Sequence, residues 1–179
     1  MELFDAITSR HSYRGSFQKT PIPREDLEKI VAAAINAPSG CNQQTTEFVI
    51  IDDPDLLASV QAMHPSNTAM QQAQAYICCV VDKQPKPVFE DLSFVVEDCA
   101  AATENMLLAI TALGYASVWV DGWLRGAGRA ESLGRLIGLP ENKTVRIILP
   151  VGIPAEHGSP APKKPFGERA WFNQYKANN

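Results

Sequence analysis

Leu3, Phe4 and Ile7 share one face of a helix predicted over Glu2 to Ser9, which places Arg10 at its C-terminal end. A second helix starts at Pro23, where Glu25 and Asp26 favour the first turn. Leu27, Ile30, Val31 and Ala34 form its apolar stripe, and it must stop before Pro38. Phe48 to Ile51 reads as a buried strand. Asp53 then caps a helix with Pro54 at its first position and Leu56, Leu57, Val60 and Met63 on its inner face. Tyr76 to Val81 reads as the next strand. The longest helix is predicted over Asp91 to Leu113, with Leu92, Val95, Val96, Cys99, Ala102, Met106, Ile110 and Leu113 at helical spacing and Gly114 as its left-handed cap. Ala100, Ala101, Leu107, Leu108 and Ala109 widen its apolar arc, so a second subunit is expected against part of it. Ala116 to Val120 is a strand, Ala130 to Ile137 a short helix ended by Gly138 and Pro140, and Val145 to Val151 the last strand.

The segment after these elements behaves differently. Pro154, Pro160, Pro162 and Pro165 exclude regular structure and predict an extended arm. Phe166, Trp171, Phe172 and Tyr175 follow, and large aromatics at this density are expected to dock on a surface. Charge inverts as well: Lys163, Lys164, Arg169 and Lys176 give residues 155–179 a net +2 against −6 for the rest. The organisation expected is one domain, with a core over 1–154 and a C-terminal arm over 155–179.

The chain has 179 residues, 45% of them hydrophobic, and a net charge of −4, too acidic for a surface that tracks nucleic-acid phosphates. No apolar run approaches the ~20 residues of a membrane span, and the N-terminus lacks a secretory h-region, so a cytoplasmic protein is expected. Cys41, Cys78, Cys79 and Cys99 have no C-x-x-C spacing, and His11, His64 and His157 stand singly, so no metal site is expected. Neither a G-x-S-x-G elbow nor a G-x-x-x-x-G-K-[ST] loop is present.

Three segments carry polar groups suited to an anionic, planar ligand. In the first, Arg10, His11, Ser12, Tyr13 and Arg14, two guanidiniums and a hydroxyl lie within five residues, and arginine forks match phosphate oxygens. Taken alone, the segment is better read as Arg10 complementing the helix dipole and Arg14 meeting solvent. The second is Ala37 to Gln44, where a helix-ending turn explains Pro38 and Gly40 but not the amides of Asn42 and Gln44. An amide both donates and accepts, as the edge of a heterocycle requires. The third, Gly114 to Trp123, is a strand running into a turn at Asp121 and Gly122, where backbone N–H groups can come close to a ring nitrogen.

RHSYRGSF, APSGCNQQ, LGYASVWVDGW and PVGIP, in this order and ahead of a basic tail, resemble the FMN-dependent nitroreductase family over nearly the whole chain. The resemblance implies an α+β fold: a three-layer sandwich with a mixed, mostly antiparallel sheet, helices on both faces, and a C-terminal arm exchanged across a homodimer. Pattern alone allows a doubly wound sheet, since the crossovers from Ile51 to Tyr76 and from Val81 to Ala116 are long enough for parallel pairing. The sandwich is preferred because it gives the aromatic tail a place to dock.

Carried over by position, the resemblance implies that Arg10, His11, Ser12 and Arg14 hold the FMN phosphate and ribityl chain, helped by Lys163, Lys164 or Arg169. Pro38, Ser39, Asn42 and Gln44 would lie along the ring, Ser39 and Asn42 coming from the partner subunit. Trp119 and Val120 would back the ring, the N–H of Asp121 or Gly122 would face flavin N5, and Pro150, Val151 and Gly152 would flank it. Thr45 and Thr46 stand where the family often has Pro-Trp. The implied activity is hydride transfer from NADH or NADPH, through the flavin, to an electron-poor acceptor such as a nitroaromatic or quinone, by a ping-pong route. A non-catalytic FMN carrier or sensor is the alternative, and a branch with dehalogenating or flavin-degrading chemistry a further one.

Overall fold

The computed structural model describes residues 1–175, so Lys176 lies outside the described residues. Six α-helices, α1 (Leu3–Ser9), α2 (Arg24–Ile35), α3 (Pro54–Met63), α4 (Thr68–Gln72), α5 (Val95–Ala112) and α6 (Arg129–Leu136), accompany four strands. The strands are β1 (Glu47–Ile51), β2 (Ala75–Asp82), β3 (Ala116–Ser117) and β4 (Lys143–Gly152). They form one sheet in the order β1-β2-β4-β3, and every pair is antiparallel.

Antiparallel pairing corrects the doubly wound alternative, and within one chain the sheet has no parallel component. The near-continuous apolar run of β2 invites the parallel reading, because strands covered on both faces lose their alternation. Both faces of β2 are indeed covered, and seven of its eight positions are buried. Tyr76, Cys78 and Val80 point into a core with Val60, Met70 and Leu133 from α3, α4 and α6. Ala75, Ile77, Cys79 and Val81 point the other way, against Leu27 and Ile30 of α2 and Cys99, Met106 and Ile110 of α5. The result is helices, sheet, helices: three layers with the central strands between two cores.

Several element boundaries differ from the pattern. Helix α5 starts at Val95 rather than Asp91, because residues 89–92 turn back on themselves, with Glu90 at φ 48° and Phe89 and Leu92 bonded backbone to backbone. It ends as expected, with Gly114 at φ 84°. Strand β3 is two residues long, and Val120 rejoins the sheet only as a single bridge to Ile148. Helix α4 was not foreseen; Asn67 caps it by accepting from the Met70 N–H at 3.2 Å. Asp53 caps α3 as expected, accepting from the N–H groups of Asp55 and Leu56.

The arm leaves β4 beside the N-terminal segment, where the Ala155 N–H donates to Ser16 O at 2.9 Å. Among its described residues the arm holds no regular structure beyond a short helical turn at Phe166–Glu168. Phe166, Phe172 and Tyr175 are 65%, 81% and 77% exposed, so the expected docking does not occur on the arm's own chain. The aromatics instead pair among themselves, Phe166 with Phe172 and Trp171 with Tyr175. No described helix is long and apolar enough to cross a membrane.

Candidate functional site

The segment after α1 is anchored through one aromatic. Tyr13 is buried, its N–H donates to Ser117 O at 2.8 Å, its hydroxyl donates to Ser16 O at 2.6 Å, and its ring packs on Phe17. In extended backbone neighbouring side chains alternate, so fixing Tyr13 inward turns Ser12 and Arg14 outward. Both line a cleft of about 410 Å³ together with Arg10, His11, Pro160 and Lys163. The cleft is lined by three cations and no acid, although Arg10 also pairs with Glu104 outside it at 3.3 Å. Of the basic residues expected here, Lys163, Lys164 and Arg169, only Lys163 lines this cleft, and Lys164 lies 3.9 Å from Glu168.

His11 has one spare nitrogen. Its Nδ1 lies 3.0 Å from Ser9 O, which can only accept, so Nδ1 donates in that bond. Its Nε2 is buried and has no partner among the described residues. The backbone of Gly158 packs against this nitrogen, so close that a Cβ there would stand 2.2 Å away, and the ring is held between α1 and the arm at the wall of the cleft.

The loop after α2 forms a second cleft, of about 370 Å³, lined by Pro38, Ser39, Gln44, Thr45, Thr46 and Asp98 with apolar residues of α2 behind. Its backbone is unusual: Cys41, Asn42 and Gln44 have φ of 49°, 55° and 52°. Left-handed conformation in non-glycine residues costs on the order of 1 kcal/mol or more each, so the surroundings must impose it. The Gln44 N–H donates to Ser39 Oγ at 2.9 Å, and the Gly40 N–H donates to Asp98 at 2.8 Å. Thr45 Oγ1 donates to the other Asp98 oxygen at 2.7 Å. Gly40 lies flat on Phe94, where a Cβ would stand 2.4 Å from the ring. Asn42 is exposed at the tip of this loop and lines neither cleft.

The third segment is held by charge. Arg125 forms a two-pronged pair with the Asp121 carboxylate, both bonds 2.6 Å, and Arg146 adds a third at 3.1 Å. With its side chain engaged, Asp121 presents its backbone, and the N–H groups of Asp121 and Gly122 have no partner among the described residues. Trp123 is fixed on one side by stacking with His64, centroids 4.5 Å apart, and the Arg129 guanidinium lies 5.4 Å from its ring. Burial, with Arg129 adding to it, lowers the pKa of His64 below its ordinary value.

Other residues expected at the ligand sit elsewhere. Val120 belongs to the core and Trp119 packs on the α5 side of the sheet. Pro150, Val151 and Gly152 are buried in β4, with Val151 wholly in the core and Gly152 under Phe17, where a Cβ would be 2.5 Å from the ring. These five residues line neither cleft; those of β4 spend their side chains on packing. Cys78, Cys79 and Cys99 are buried thiols as expected, and Cys41 is exposed.

Sequence reasoning passed over Asp98, Thr45, His64, Arg146 and Gly158. For Asp98 a signal existed, an acid on the buried arc of an otherwise apolar helix, and for Thr45 a departure from the family pattern. Nothing local marked the others, whose roles come from distant partners.

The sequence profile of the nitroreductase family matches residues 7–86 and 58–153 of this chain. The chain belongs to the nitroreductase family. A protein of Archaeoglobus fulgidus, provisionally named NADH dehydrogenase/NAD(P)H nitroreductase, is 36% identical over 155 residues, 87% of each chain. A solved structure of a protein with the same provisional name from Bacteroides thetaiotaomicron superposes with a TM-score of 0.82 at 28% identity, covering 97% of this chain and 98% of that one. A provisionally named nitroreductase of Desulfovibrio desulfuricans, solved in complex with FMN, gives a TM-score of 0.77 at 27% identity over 98% of this chain and 99% of its own.

Proposed function

We propose that this nitroreductase-family chain is an FMN-dependent oxidoreductase that draws electrons from NADH or NADPH and delivers them to an electron-poor acceptor such as a nitroaromatic or a quinone. The observation that carries the reading is the acid-free cleft of Arg10, Ser12, Arg14 and Lys163, with His11 in its wall. A phosphate monoester carries about −1.5 to −2 charges and needs more than one cation, which this cleft supplies. FMN, when bound, supplies the hydride chemistry between the nicotinamide and the acceptor.

The chain's own residues bind and orient. Arg10, Arg14 and Lys163 neutralise the phosphate, and Ser12 adds a hydroxyl. The free N–H groups at Asp121 and Gly122 suit a ring nitrogen and favour negative charge gathering there. The triad of Arg125, Asp121 and Arg146 holds that turn in place. No side chain is required as a general acid or base, so donor and acceptor can use one open face in succession.

A homodimer completes the site on this reading. The phosphate cleft and the Pro38–Gln44 cleft share no residue, so a single chain does not join them into one pocket. Leu3, Phe4 and Ile7 of α1 and Val96 of α5 are 62%, 76%, 46% and 49% exposed, a large apolar area for a solitary chain. A second copy covering it would bring its own Pro38, Ser39, Asn42 and Gln44 to the flavin ring, and gives the aromatic arm a surface to dock on.

Anaerobic titration of the FMN-loaded protein with NADH and NADPH tests the proposal. Bleaching of the flavin absorbance, followed by its return with a nitroaromatic or quinone and parallel double-reciprocal lines, is expected. Bound FMN that neither nicotinamide reduces would leave the carrier reading standing in its place.

A further inference from the structure

We infer that Asp98 is the positioning residue of the flavin-ring loop: from inside α5 it fixes the left-handed backbone that presents Ser39, Asn42 and Gln44. The inference rests on the reading of this loop as the ring side of an FMN site. Three observations support it. Asp98 is 6% exposed in a helix whose neighbouring buried positions are apolar, so its carboxylate is there for its partners. Those partners are both in the loop and bracket it: the Gly40 N–H before the left-handed residues and the Thr45 hydroxyl directly after them. One carboxylate, with an oxygen for each donor, thus ties the two ends of the loop, Gly40 and Thr45, to a rigid helix.

The third observation is the sequence at the loop's exit. A proline at position 45 has no hydroxyl and could not reach Asp98 as Thr45 does. In this chain the second tether is a hydrogen bond, and the left-handed Gln44 immediately before it is where a tether is most needed. Ser39 closes the loop on itself through the Gln44 N–H, but that bond lies wholly inside the loop and cannot orient it against the rest of the fold. Gly40 can lie on Phe94 only without a side chain, which fixes the distance from loop to α5 that the Asp98 bonds require.

Asp98→Leu removes both acceptors, whereas Asp98→Asn keeps a way to satisfy both partners: Oδ1 can accept from the Gly40 N–H, and the Thr45 hydroxyl can turn to accept from Nδ2. FMN and riboflavin affinities, measured by flavin fluorescence on the full chain, should fall together by about tenfold or more in Asp98→Leu and return to within about threefold of wild type in Asp98→Asn. Equal loss of both ligands marks a ring-side effect, because riboflavin lacks the phosphate. Cys41 supplies a readout that needs no flavin. It is the exposed thiol among four cysteines and sits in the loop, so its reaction with an aromatic disulfide in flavin-free protein should accelerate about tenfold in Asp98→Leu and remain near wild type in Asp98→Asn. Should Asp98→Leu fail to fold, Thr45→Val, which removes one tether, must show the same two changes to a smaller degree. A folded Asp98→Leu or Thr45→Val protein with unchanged flavin affinity and unchanged Cys41 reactivity overturns the inference, as does an Asp98→Asn protein as impaired as Asp98→Leu. Wild-type protein that binds neither flavin defeats the functional reading instead, and the Cys41 rates then still decide whether Asp98 orders the loop.

Discussion

Gly158 of the arm lies against His11, so close that a Cβ built on it would stand 2.2 Å from the imidazole Nε2. The ring has little freedom to yield, since its Nδ1 is tied to Ser9 O at 3.0 Å. Gly158→Ala should therefore push the imidazole or the arm out of place and spoil the phosphate cleft that the two build together. FMN affinity is expected to fall about tenfold with a near-normal melting temperature, both measurable on one preparation. Unchanged affinity would mean that the packing of Gly158 on His11 does not shape the FMN site.

Arg14 separates the phosphate from the ring. Its guanidinium faces the cleft with only a long 3.4 Å contact to Ser12 O, so it is free to pair with an anion. Arg14→Ala should weaken FMN by about 1.5 to 3 kcal/mol, the worth of one charge-assisted hydrogen bond, and riboflavin by much less. Equal weakening of both ligands would mean that Arg14 does not meet the phosphate.

At the turn, backbone and side chain can be tested apart. Asp121→Asn keeps the N–H but weakens the pairs with Arg125 and Arg146, and a small loss of thermal stability is expected with flavin reduction little changed. Asp121→Pro deletes the N–H, and reduction by NAD(P)H under anaerobic conditions should slow by roughly a hundredfold, as when an oriented donor is lost elsewhere. Stopped-flow rates at matched FMN occupancy distinguish the two.

The stacked His64 makes a pH prediction. Its folded pKa lies below the ordinary 6.5, because burial and Arg129 disfavour the charged ring. Between those two values the unfolded chain holds a proton that the folded chain does not, so stability rises with pH through that window. The contribution is complete above pH 6.5 and is lost as pH falls below it. Melting temperatures from pH 7.5 to 5 should show this decline, and His64→Phe, which keeps a ring on Trp123, should flatten it. An identical slope in the variant would assign the decline to other groups.

Much of the layering was legible along the chain, and the reason is physical. Helical spacing in Leu27, Ile30 and Ala34, or in Cys99, Met106 and Ile110, marks the face that must meet the sheet. Strand direction was not legible, because β2, buried on both sides, loses the alternation that would mark an antiparallel strand. Start and stop signals failed where tertiary contacts overrode them: Asp91 and Leu92 fit helical spacing, yet the turn at Glu90 takes them out of α5. In the phosphate cleft, Arg10, Ser12 and Arg14 could be found because they are neighbours in sequence. Asp98 and Thr45 each carried a local mark, an acid at a buried helix position and a departure from the family pattern, but their pairing across 53 residues was not legible. Pro150 to Gly152, placed by family position, are packed into the core of this chain and line neither cleft.

The separation of the two clefts has a kinetic consequence. If each flavin needs phosphate ligands from one subunit and ring ligands from the other, cofactor retention becomes a property of the association equilibrium. Dilution then releases flavin in proportion to the monomer formed, and holoprotein at nanomolar concentration should turn fluorescent on a timescale set by subunit dissociation rather than by ligand escape. Added FMN, by the same linkage, pulls the subunits together, so that the cell's supply of flavin sets how much of the protein is assembled.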